Sequence, residues 1–340
     1  MPGRLLSSKL LLNFLAAFSV VTVLAILSCF TACHHSSDAK VTSVRIQWLD
    51  QAQFAGLYVA SAKGYFKSQN LSVTIEPGGP DVSPVLLVAS GSNDFGVSPA
   101  TDIIQARSNG VPVVAIATIF QKNPVVFFSK ILKNIKTPKD FTGHTVGLKY
   151  GMEIEYYYRV MMKNAGVDTS QVKEVPIKVD MPRFFSGEVD VWSSYSLNEP
   201  LAAEERNIPV QEIFCGDWGV PAVGDTIFTT DRLIRDNPEK VTAFLRAAIQ
   251  GWTYAIGHPG EAVGETLKVS PNLDRDHQMR MFKATVDLIQ ATNKPVGSFD
   301  ISKWKSMYKM MLESGLLKTP VDIDRTYNNS FIEKINGAKR

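Results

Sequence analysis

The stretch Gln47–Phe66, QWLDQAQFAGLYVASAKGYF, decides the fold of this chain. The segment that runs into it, Val41–Leu49, alternates between apolar and polar side chains, and this alternation predicts a β-strand. The second half carries apolar side chains at helical spacing, namely Phe54, Leu57, Tyr58 and Ala62. Lys63 and Gly64 then form a typical helix C-terminus. The stretch therefore predicts a strand, a short turn and a helix.

The turn Asp50–Gln53 lies between that strand and that helix. In open α/β proteins a turn in this position lies at the carboxyl edge of the sheet, where ligands bind. Trp48 would offer a stacking face, and Gln51 and Gln53 would offer amide donors and acceptors, so we expect a flat ligand with polar edges. The alternative is that Trp48 and Phe54 are core residues and that the glutamines are solvated.

The strand–helix pattern repeats as far as about residue 230. Apolar or alternating segments that predict strands occur at 71–76, 94–97, 111–120, 145–148 and 189–192. Their alternation with helical segments predicts βαβ units and parallel strands. From Asp231 onward the periodicity is helical throughout. The sequence therefore predicts an α/β protein with two sets of units and a helical C-terminal region.

The composition is that of a globular protein with room for two domains. The chain has 340 residues, of which 45% are hydrophobic and 20% charged, and its formal net charge is +3. Because no basic run or basic face stands out, we expect no nucleic-acid partner. No P-loop signature occurs in the sequence, so the chain is not expected to be an ATPase.

The first 40 residues have the pattern of an exported precursor. Arg4 and Lys9 precede the uncharged segment Leu10–Leu27, and small residues then lead to Cys33. The sequence Phe30-Thr31-Ala32-Cys33 resembles a bacterial lipobox, with phenylalanine in place of the usual leucine. We expect residues 1–32 to be a signal peptide, Cys33 to carry a lipid and 33–40 to be a tether. The alternative is an uncleaved membrane anchor. Both predict an extracytoplasmic protein.

Several short motifs resemble those of a known protein family. They are Trp48, the segments 55–60 (AGLYVA), 63–66 (KGYF) and 91–96 (GSNDFG), and further along 137–143 (TPKDFTG), 187–190 (GEVD) and 237–241 (NPEKV). Together they resemble the substrate-binding proteins of bacterial ABC importers that are related to thiamine-pyrimidine-precursor binding proteins and fungal pyrimidine synthases. The resemblance covers about residues 41–259.

The resemblance implies the type II periplasmic-binding-protein fold, in which two α/β lobes joined by a hinge close on a ligand. Lobe I would comprise residues 41–125 and 226–340, and lobe II residues 126–225, with the helical C-terminus packed on lobe I. The implied partners are a small-molecule ligand, a permease and its ATPase subunits, and the membrane through the lipid on Cys33. We expect a monomer without a cofactor.

The resemblance also implies that the turns at the strand ends line the cleft. Carried over position by position, the candidate ligand-binding residues are Trp48, Gln51, Gln53, Phe54, Ser98, Thr101, Tyr150, Met152, Glu153, Tyr195, Asn198, Glu199, Trp218 and Asp225. We expect Trp48 to stack on the ligand, and Glu153 and Asn198 to bind its polar edge. A solvated surface position or a helix cap is the alternative role for several of them.

Three functions remain open at this stage. The aromatic candidates favour a thiamine-type pyrimidine precursor or riboflavin as the ligand. A sulfonate or nitrate-like anion is the second ligand class and would require a cation in the cleft, for which Arg183 is the nearby candidate. The third is a pyrimidine synthase, but Ser98 and Asp102 occupy the places of that branch's lysine and histidine, and its cysteine-rich run is missing. We therefore expect a receptor that is not an enzyme.

Overall fold

The computed structural model describes residues 41–337, so the predicted signal peptide, tether and lipidated Cys33 lie outside the described residues. Ten strands form two five-stranded sheets. The strands are β1 Thr42–Arg45, β2 Val73–Glu76, β3 Phe95–Pro99, β4 Val113–Thr118, β5 Val125–Lys130, β6 Thr145–Leu148, β7 Lys173–Pro176, β8 Val191–Tyr195, β9 Val210–Phe214 and β10 Asp225–Thr230. The predicted α/β class is therefore confirmed.

The first sheet has the order β2-β1-β3-β10-β4, and the second has the order β7-β6-β8-β5-β9. In the first sheet β1 pairs in parallel with β2 and β3, whereas β10 runs antiparallel between β3 and β4. In the second sheet β6 pairs in parallel with β7 and β8, and β5 is antiparallel to β8 and β9. The prediction of parallel sheets was therefore wrong in part.

The antiparallel pairs arise where the chain passes from one sheet to the other. Strand β5 follows β4 after the short link 119–124, and β10 returns after β9 and the segment 215–224. Neither link contains an α-helix that would carry the chain back over a sheet face, which a parallel connection requires. The two crossings thus produce two mixed sheets.

Helices follow most strands and make up most of the chain after residue 230. They are α1 Ala55–Ala62, α2 Tyr65–Ser68, α3 Pro84–Ala89, α4 Ala100–Ser108, α5 Glu153–Asn164, α6 Pro182–Phe185, α7 Glu199–Glu204, α8 Asp231–Asp236, α9 Pro238–Gly257, α10 Pro259–Val269, α11 Arg275–Ile289, α12 Ile301–Glu313 and α13 Ser330–Gly337. The predicted helical C-terminal region is confirmed. No helix within residues 41–337 is both long and apolar enough to cross a membrane.

Helix α1 packs closely against the long helix α9. A Cβ atom added at Gly56 would collide with the Trp252 ring, and one added at Gly251 would collide with the backbone of Gly56. Nearby, the Phe95 and Phe244 rings stack with centroids 3.9 Å apart. These contacts hold the start of α1, and the turn before it, at a fixed position on the first sheet.

The C-terminal helices also support that turn. The backbone N–H of Ala52 donates to Gln278 Oε1 on α11 at 2.7 Å, and both residues are buried. Helix α12 is tied down by Trp304, whose Nε1 donates to Thr326 Oγ1 at 2.8 Å. The residues around Ala52 therefore have backbone and side-chain partners from segments far away in the sequence.

Candidate functional site

A cavity of about 450 Å³ lies between the two sheets. From the part of the chain that contributes to the first sheet it is lined by Gln47, Trp48, Gln51, Gln53, Gly79, Pro80, Val82, Ser83, Pro84, Val85, Leu86, Ser98, Pro99, Asp102, Gln105, Ala106, Asn109 and Val111. From the other part it is lined by Lys149, Gly151, Met152, Glu153, Ile154, Tyr195, Leu197, Asn198 and Glu199. Most of the polar lining residues follow β1, β3, β6 and β8, as expected of a ligand site at strand ends.

Three glutamines of the cavity wall are joined through one buried carboxyl. Gln51 Nε2 donates to Gln53 Oε1 at 2.7 Å, and Gln53 Nε2 donates to Asp225 Oδ2 at 2.8 Å. Gln47 Nε2 donates to the other oxygen, Asp225 Oδ1. These bonds use the amide N–H groups, while Gln47 Oε1 and Gln51 Oε1 form no hydrogen bond with any other residue in 41–337. The network therefore presents acceptors to the cavity.

Helix α4 contributes a second acceptor to the same wall. Ser98 Oγ donates to Asp102 Oδ2 at 3.0 Å, one turn further along the chain. Burial raises the pKa of Asp102 to about 6, and the hydrogen bond from Ser98 opposes this rise. Asp102 therefore titrates close to neutral pH at the edge of the cavity.

Glu153 at the start of α5 is the most deeply buried acid of the cavity. The Tyr195 hydroxyl donates to Glu153 Oε1. Burial, with a smaller contribution from the Asp102 and Asp225 carboxyls, raises the pKa of Glu153 to about 8 although the hydrogen bond from the Tyr195 hydroxyl opposes this rise. Although Tyr157 lies nearby, Glu153 Oε2 has no hydrogen bond of acceptable geometry among residues 41–337. This oxygen is fully buried beside the Tyr157 hydroxyl, which also has no hydrogen-bond partner among these residues.

Asp225 itself lies behind the wall, on the first residue of β10. It is only 2% exposed, and burial raises its pKa to about 7 although Gln53 and Gln47 both donate to it. Its contribution to the site is therefore to orient the two glutamines.

Lys149 is the only lysine or arginine that lines the cavity, counted over the described chain. Its Nζ lies 2.6 Å from Glu199 Oε1, and both side chains are less than 10% exposed. The Ser194 hydroxyl donates to the second oxygen of Glu199. The positive charge is thus already matched by a buried carboxylate.

The helices that point at the cavity carry acids in their first turns. These are Asp102 in α4, Glu153 in α5 and Glu199 in α7. A helix N-terminus has a partial positive charge and favours an anion. Here the protein's own carboxyl groups occupy that position, so the wall is rich in acceptors.

Polar contacts join α7 to α11 beside the cavity mouth. Arg280 Nη2 lies 2.5 Å from Glu204 Oε2, and His277 Nδ1 lies 3.0 Å from Glu205 Oε2. The other ring nitrogen of His277 lies 3.2 Å from Asn198 Oδ1. We call these five residues the α7–α11 contact. It links the helix after β8 in the second sheet to the C-terminal helical region.

Nine of the fourteen predicted site residues line the cavity: Trp48, Gln51, Gln53, Ser98, Met152, Glu153, Tyr195, Asn198 and Glu199. Five do not. Phe54 is a core residue with 1% exposure, and Thr101 is buried on α4. Tyr150 is 44% exposed, and the Trp218 carbonyl accepts from Asn164 Nδ2 at 3.0 Å. Asp225 acts through the glutamines.

Several cavity residues were missing from the prediction. Gln47 and Lys149 each lie next to a predicted residue, at the end of a strand, and this position is the signal that could have identified them. Asp102 lies one helical turn after Ser98. The apolar residues of α3 and the end of α4 gave no such signal, since they resemble ordinary helix positions. No cluster of three metal-ligating side chains occurs within residues 41–337.

Comparison with known proteins gives relatives of several kinds. The chain is 25% identical to the riboflavin-binding protein RibY of Chloroflexus aurantiacus over 305 residues, covering 85% of each chain. It is 25% identical to a formylaminopyrimidine-binding protein of Halalkalibacterium halodurans, covering 91% of this chain and 96% of the relative. It is also 23% identical to a 4-amino-5-hydroxymethyl-2-methylpyrimidine phosphate synthase of Legionella pneumophila, covering 87% and 93%.

Among solved structures, the periplasmic aliphatic sulphonate binding protein SsuA of Escherichia coli superposes with a TM-score of 0.67 at 16% identity, covering 84% of this chain and 91% of that one. This similarity confirms the predicted periplasmic-binding-protein fold. The lobe boundaries and the ligand-binding residues stay predictions. The sequence matches the NMT1/THI5-like family over residues 51–262, which is more than half of the chain. The chain therefore belongs to the NMT1/THI5-like family.

Proposed function

We propose that this protein is an extracytoplasmic receptor of an ABC importer that binds a small aromatic heterocycle between its lobes. The observation that carries the proposal is the acceptor-rich cavity wall. Gln47 Oε1 and Gln51 Oε1 lack protein partners among residues 41–337, and they lie in the same cavity as the Trp48 indole and the Glu153 carboxyl. A flat ring with amino or ring N–H groups would satisfy these acceptors while it stacks on the indole.

We infer the ligand class from two relatives, which are named for the binding of riboflavin and of formylaminopyrimidine. Both of those ligands are planar heterocycles with N–H groups. A thiamine-type pyrimidine precursor or a flavin is therefore the class that we propose for this chain.

The second candidate is an anion such as a sulfonate. The helix N-termini at the cavity and the fold shared with SsuA favour it. Three observations speak against it. The first turns of those helices already carry acids, Lys149 is paired with Glu199, and Arg183 lies outside the cavity with its Nε 2.9 Å from Glu188. A bound anion would therefore lie beside buried carboxyls, and within residues 41–337 the one cation that lines the cavity is already paired.

The third candidate is an enzyme, because synthases are among the relatives. The resemblance to the synthase branch implies that Ser98 and Asp102 occupy about the positions of that branch's lysine and histidine. Ser98 and Asp102 form a hydrogen bond with each other and line the cavity as a donor–acceptor pair. We propose that they bind the ligand and that the protein releases it unaltered.

The receptor would work by closure of the two lobes. A ligand that contacts both Trp48 on one side and Glu153 on the other favours the state in which both are near it. The α7–α11 contact would form in that closed state. The permease would recognise the closed shape, and its ATPase subunits would drive transport.

The membrane anchor is part of the proposal. We propose that Cys33 is lipidated after removal of residues 1–32 and holds the receptor at the membrane. Cells that express the native protein and the variant Cys33→Ser should be labelled with radioactive palmitate. We expect label on the native protein alone. Equal labelling of both proteins, or of neither, would contradict this assignment.

The ligand class is tested with residues 34–340, purified without ligand. Melting temperatures and native mass spectra should be recorded with aminopyrimidines, flavins and alkanesulfonates. We expect the heterocycles to raise the melting temperature and to add their mass, because a ligand of the folded state stabilises it. A shift with sulfonates alone would favour the second candidate. Chemical conversion of a bound heterocycle would favour the third.

A further inference from the structure

The cavity extends beyond the polar wall into an apolar groove. On this side it is bordered by the loop before α3, by α3 itself and by the end of α4. The apolar lining side chains are Pro80, Val82, Pro84, Val85, Leu86, Ala106 and Val111, and the polar ones are Ser83, Gln105 and Asn109. We call this part the α3–α4 groove. Seven of these ten side chains are apolar, whereas the rest of the cavity lining holds the polar groups of Gln47, Gln51, Gln53, Glu153 and Asn198 besides a few apolar side chains.

Leu86 is an apolar side chain of this groove that is not packed in the core. Leu86 is 64% exposed, whereas Val85 and Val88 on the same helix are 7% and 0% exposed. Val82 is half-buried. An exposed apolar side chain gains free energy when another apolar surface covers it. Because the groove is continuous with the ligand cavity, the molecule that covers it is expected to be the ligand.

The size of the cavity leads to the same conclusion. A volume of about 450 Å³ is within the range of about 300–1,000 Å³ that is typical of pockets for drug-sized ligands. Since a water molecule occupies about 30 Å³ in the liquid, the space equals about 15 waters. A single pyrimidine ring against Trp48 would leave a large part of it unfilled, mainly beside the apolar side chains.

We propose that the α3–α4 groove is a subsite for an apolar extension of the ligand. The ligand is then a heterocycle with N–H donors at one end and a fused hydrocarbon ring or alkyl substituent at the other. The polar end binds between Gln51 and Glu153, and the apolar end covers Val82 and Leu86. This inference rests on the proposed function and narrows its ligand class to heterocycles larger than one ring.

The test uses two probes that share a polar edge. Lumazine and lumichrome carry the same pyrimidinedione edge, but lumichrome has an additional dimethylbenzo ring. Their dissociation constants should be measured by fluorescence for the native protein and for Leu86→Asp and Leu86→Ser. The control is Leu132→Asp, because Leu132 is 94% exposed and lies outside the cavity. All four proteins should keep their melting temperature, since neither leucine is buried.

We expect the native protein to bind lumichrome at least about tenfold more tightly than lumazine. Leu86→Asp should reduce that ratio to about threefold or less, because it weakens the binding of lumichrome alone. Leu86→Ser should reduce the ratio in part. Leu132→Asp should leave the ratio unchanged. Equal affinity of the two probes, or a preference that survives both Leu86 variants, would overturn the subsite.

A further measurement separates the subsite from the proposed function. 4-Amino-5-hydroxymethyl-2-methylpyrimidine and ethanesulfonate should be titrated in the same assay by competition and calorimetry. Binding of the single-ring pyrimidine with no binding of lumichrome would overturn the subsite and leave the proposed function intact. Binding of ethanesulfonate alone, or of none of the four probes, would overturn both.

Discussion

Trp48 and Glu153 define the two sides of the site at the scale of single residues. The indole lies at the end of β1 and lines the cavity, and the carboxyl begins α5 after β6. The first offers an apolar face, and the second is a buried carboxyl whose pKa is raised to about 8. Together with the unpaired amide oxygens of Gln47 and Gln51, they favour a ligand that is both flat and able to form hydrogen bonds.

Replacing the indole tests the stacking role. We expect Trp48→Ala to weaken heterocycle binding by about 1 kcal/mol or more, which is about a fivefold rise in Kd, because the stacking face is lost. Isothermal titration calorimetry with the best heterocycle measures this change. Trp218→Ala is the matched control, since that indole is also partly buried but does not line the cavity. An unchanged Kd for Trp48→Ala would remove the stacking role.

Glu153 makes stability depend on pH. Its pKa rises from 4.5 to about 8 in the folded protein through burial, so the folded state holds a proton that the unfolded chain releases above pH 4.5. This contribution to stability is complete below pH 4.5 and is lost as the pH rises to about 8. Glu153→Gln has no carboxyl to titrate and should not lose this stability. As the pH rises from 5 to 8, we therefore expect its unfolding free energy to increase relative to that of the native protein by on the order of a few kcal/mol.

Urea unfolding monitored by circular dichroism at several pH values measures this effect. Glu313→Gln is the control, because that side chain is 63% exposed and its replacement should leave the pH profile unchanged. Parallel pH profiles for the native protein and Glu153→Gln would show that Glu153 is ionised in the folded state.

The sequence predicted the positions of many site residues but not their partners. Trp48 and Phe54 flank the same turn and were both predicted as ligand-binding residues, yet the fold buries Phe54 in the core and leaves Trp48 at the cavity. The contact between Tyr195 and Glu153 joins residues 42 positions apart. Asp225 was predicted as a ligand residue, but its tertiary contacts make it the anchor of Gln53. Burial and long-range pairing decide these roles, and local patterns do not encode them.

At the scale of elements, the α7–α11 contact is the clearest link between the two sides of the cavity. It joins Glu204 and Glu205 at the end of α7 to His277 and Arg280 on α11. His277 and Arg280 are three residues apart, so they lie on the same face of their helix. The contact also includes Asn198, which lines the cavity. We therefore expect ligand binding and this contact to be coupled through Asn198.

Breaking the contact should weaken binding without altering the cavity wall. We expect Arg280→Ala to raise the heterocycle Kd by up to about fivefold, because a partly exposed ion pair contributes at most about 1 kcal/mol. Calorimetry measures the change. Lys268→Ala is the control, since its partner Glu265 lies on the same helix. The double variant Arg280→Glu with Glu204→Arg should restore much of the affinity. If Arg280→Ala leaves the Kd unchanged and the double variant also has no effect, the contact does not contribute to binding.

Most elements could be predicted because their periodicity is strong. The strand and helix of the opening stretch, and the long helices after residue 230, follow directly from their spacing. That periodicity does not mark where each helix ends: α11, for example, ends at Ile289, before a loop with Lys294 and Pro295. The direction of β10 was not predicted, since a strand's partner depends on the path of the whole chain.

At the scale of the whole molecule, two links join the parts that carry the two sheets, at 119–124 and 215–224. Proteins with two such links can close by rotation about them. We expect a saturating heterocycle to decrease the radius of gyration of residues 34–340, as measured by small-angle X-ray scattering. Ethanesulfonate should cause no decrease. Identical scattering with and without a bound heterocycle would exclude closure as the mechanism.

The position of β10 has a consequence for the newly made chain. This strand fills the gap between β3 and β4, but it is synthesised after every strand of the second sheet. A nascent chain that has reached only residue 220 thus contains a complete second sheet and a first sheet with two unpaired inner edges. Such edges readily pair with foreign strands. The first sheet is therefore completed after the second sheet. Premature termination before β10 should give products that aggregate.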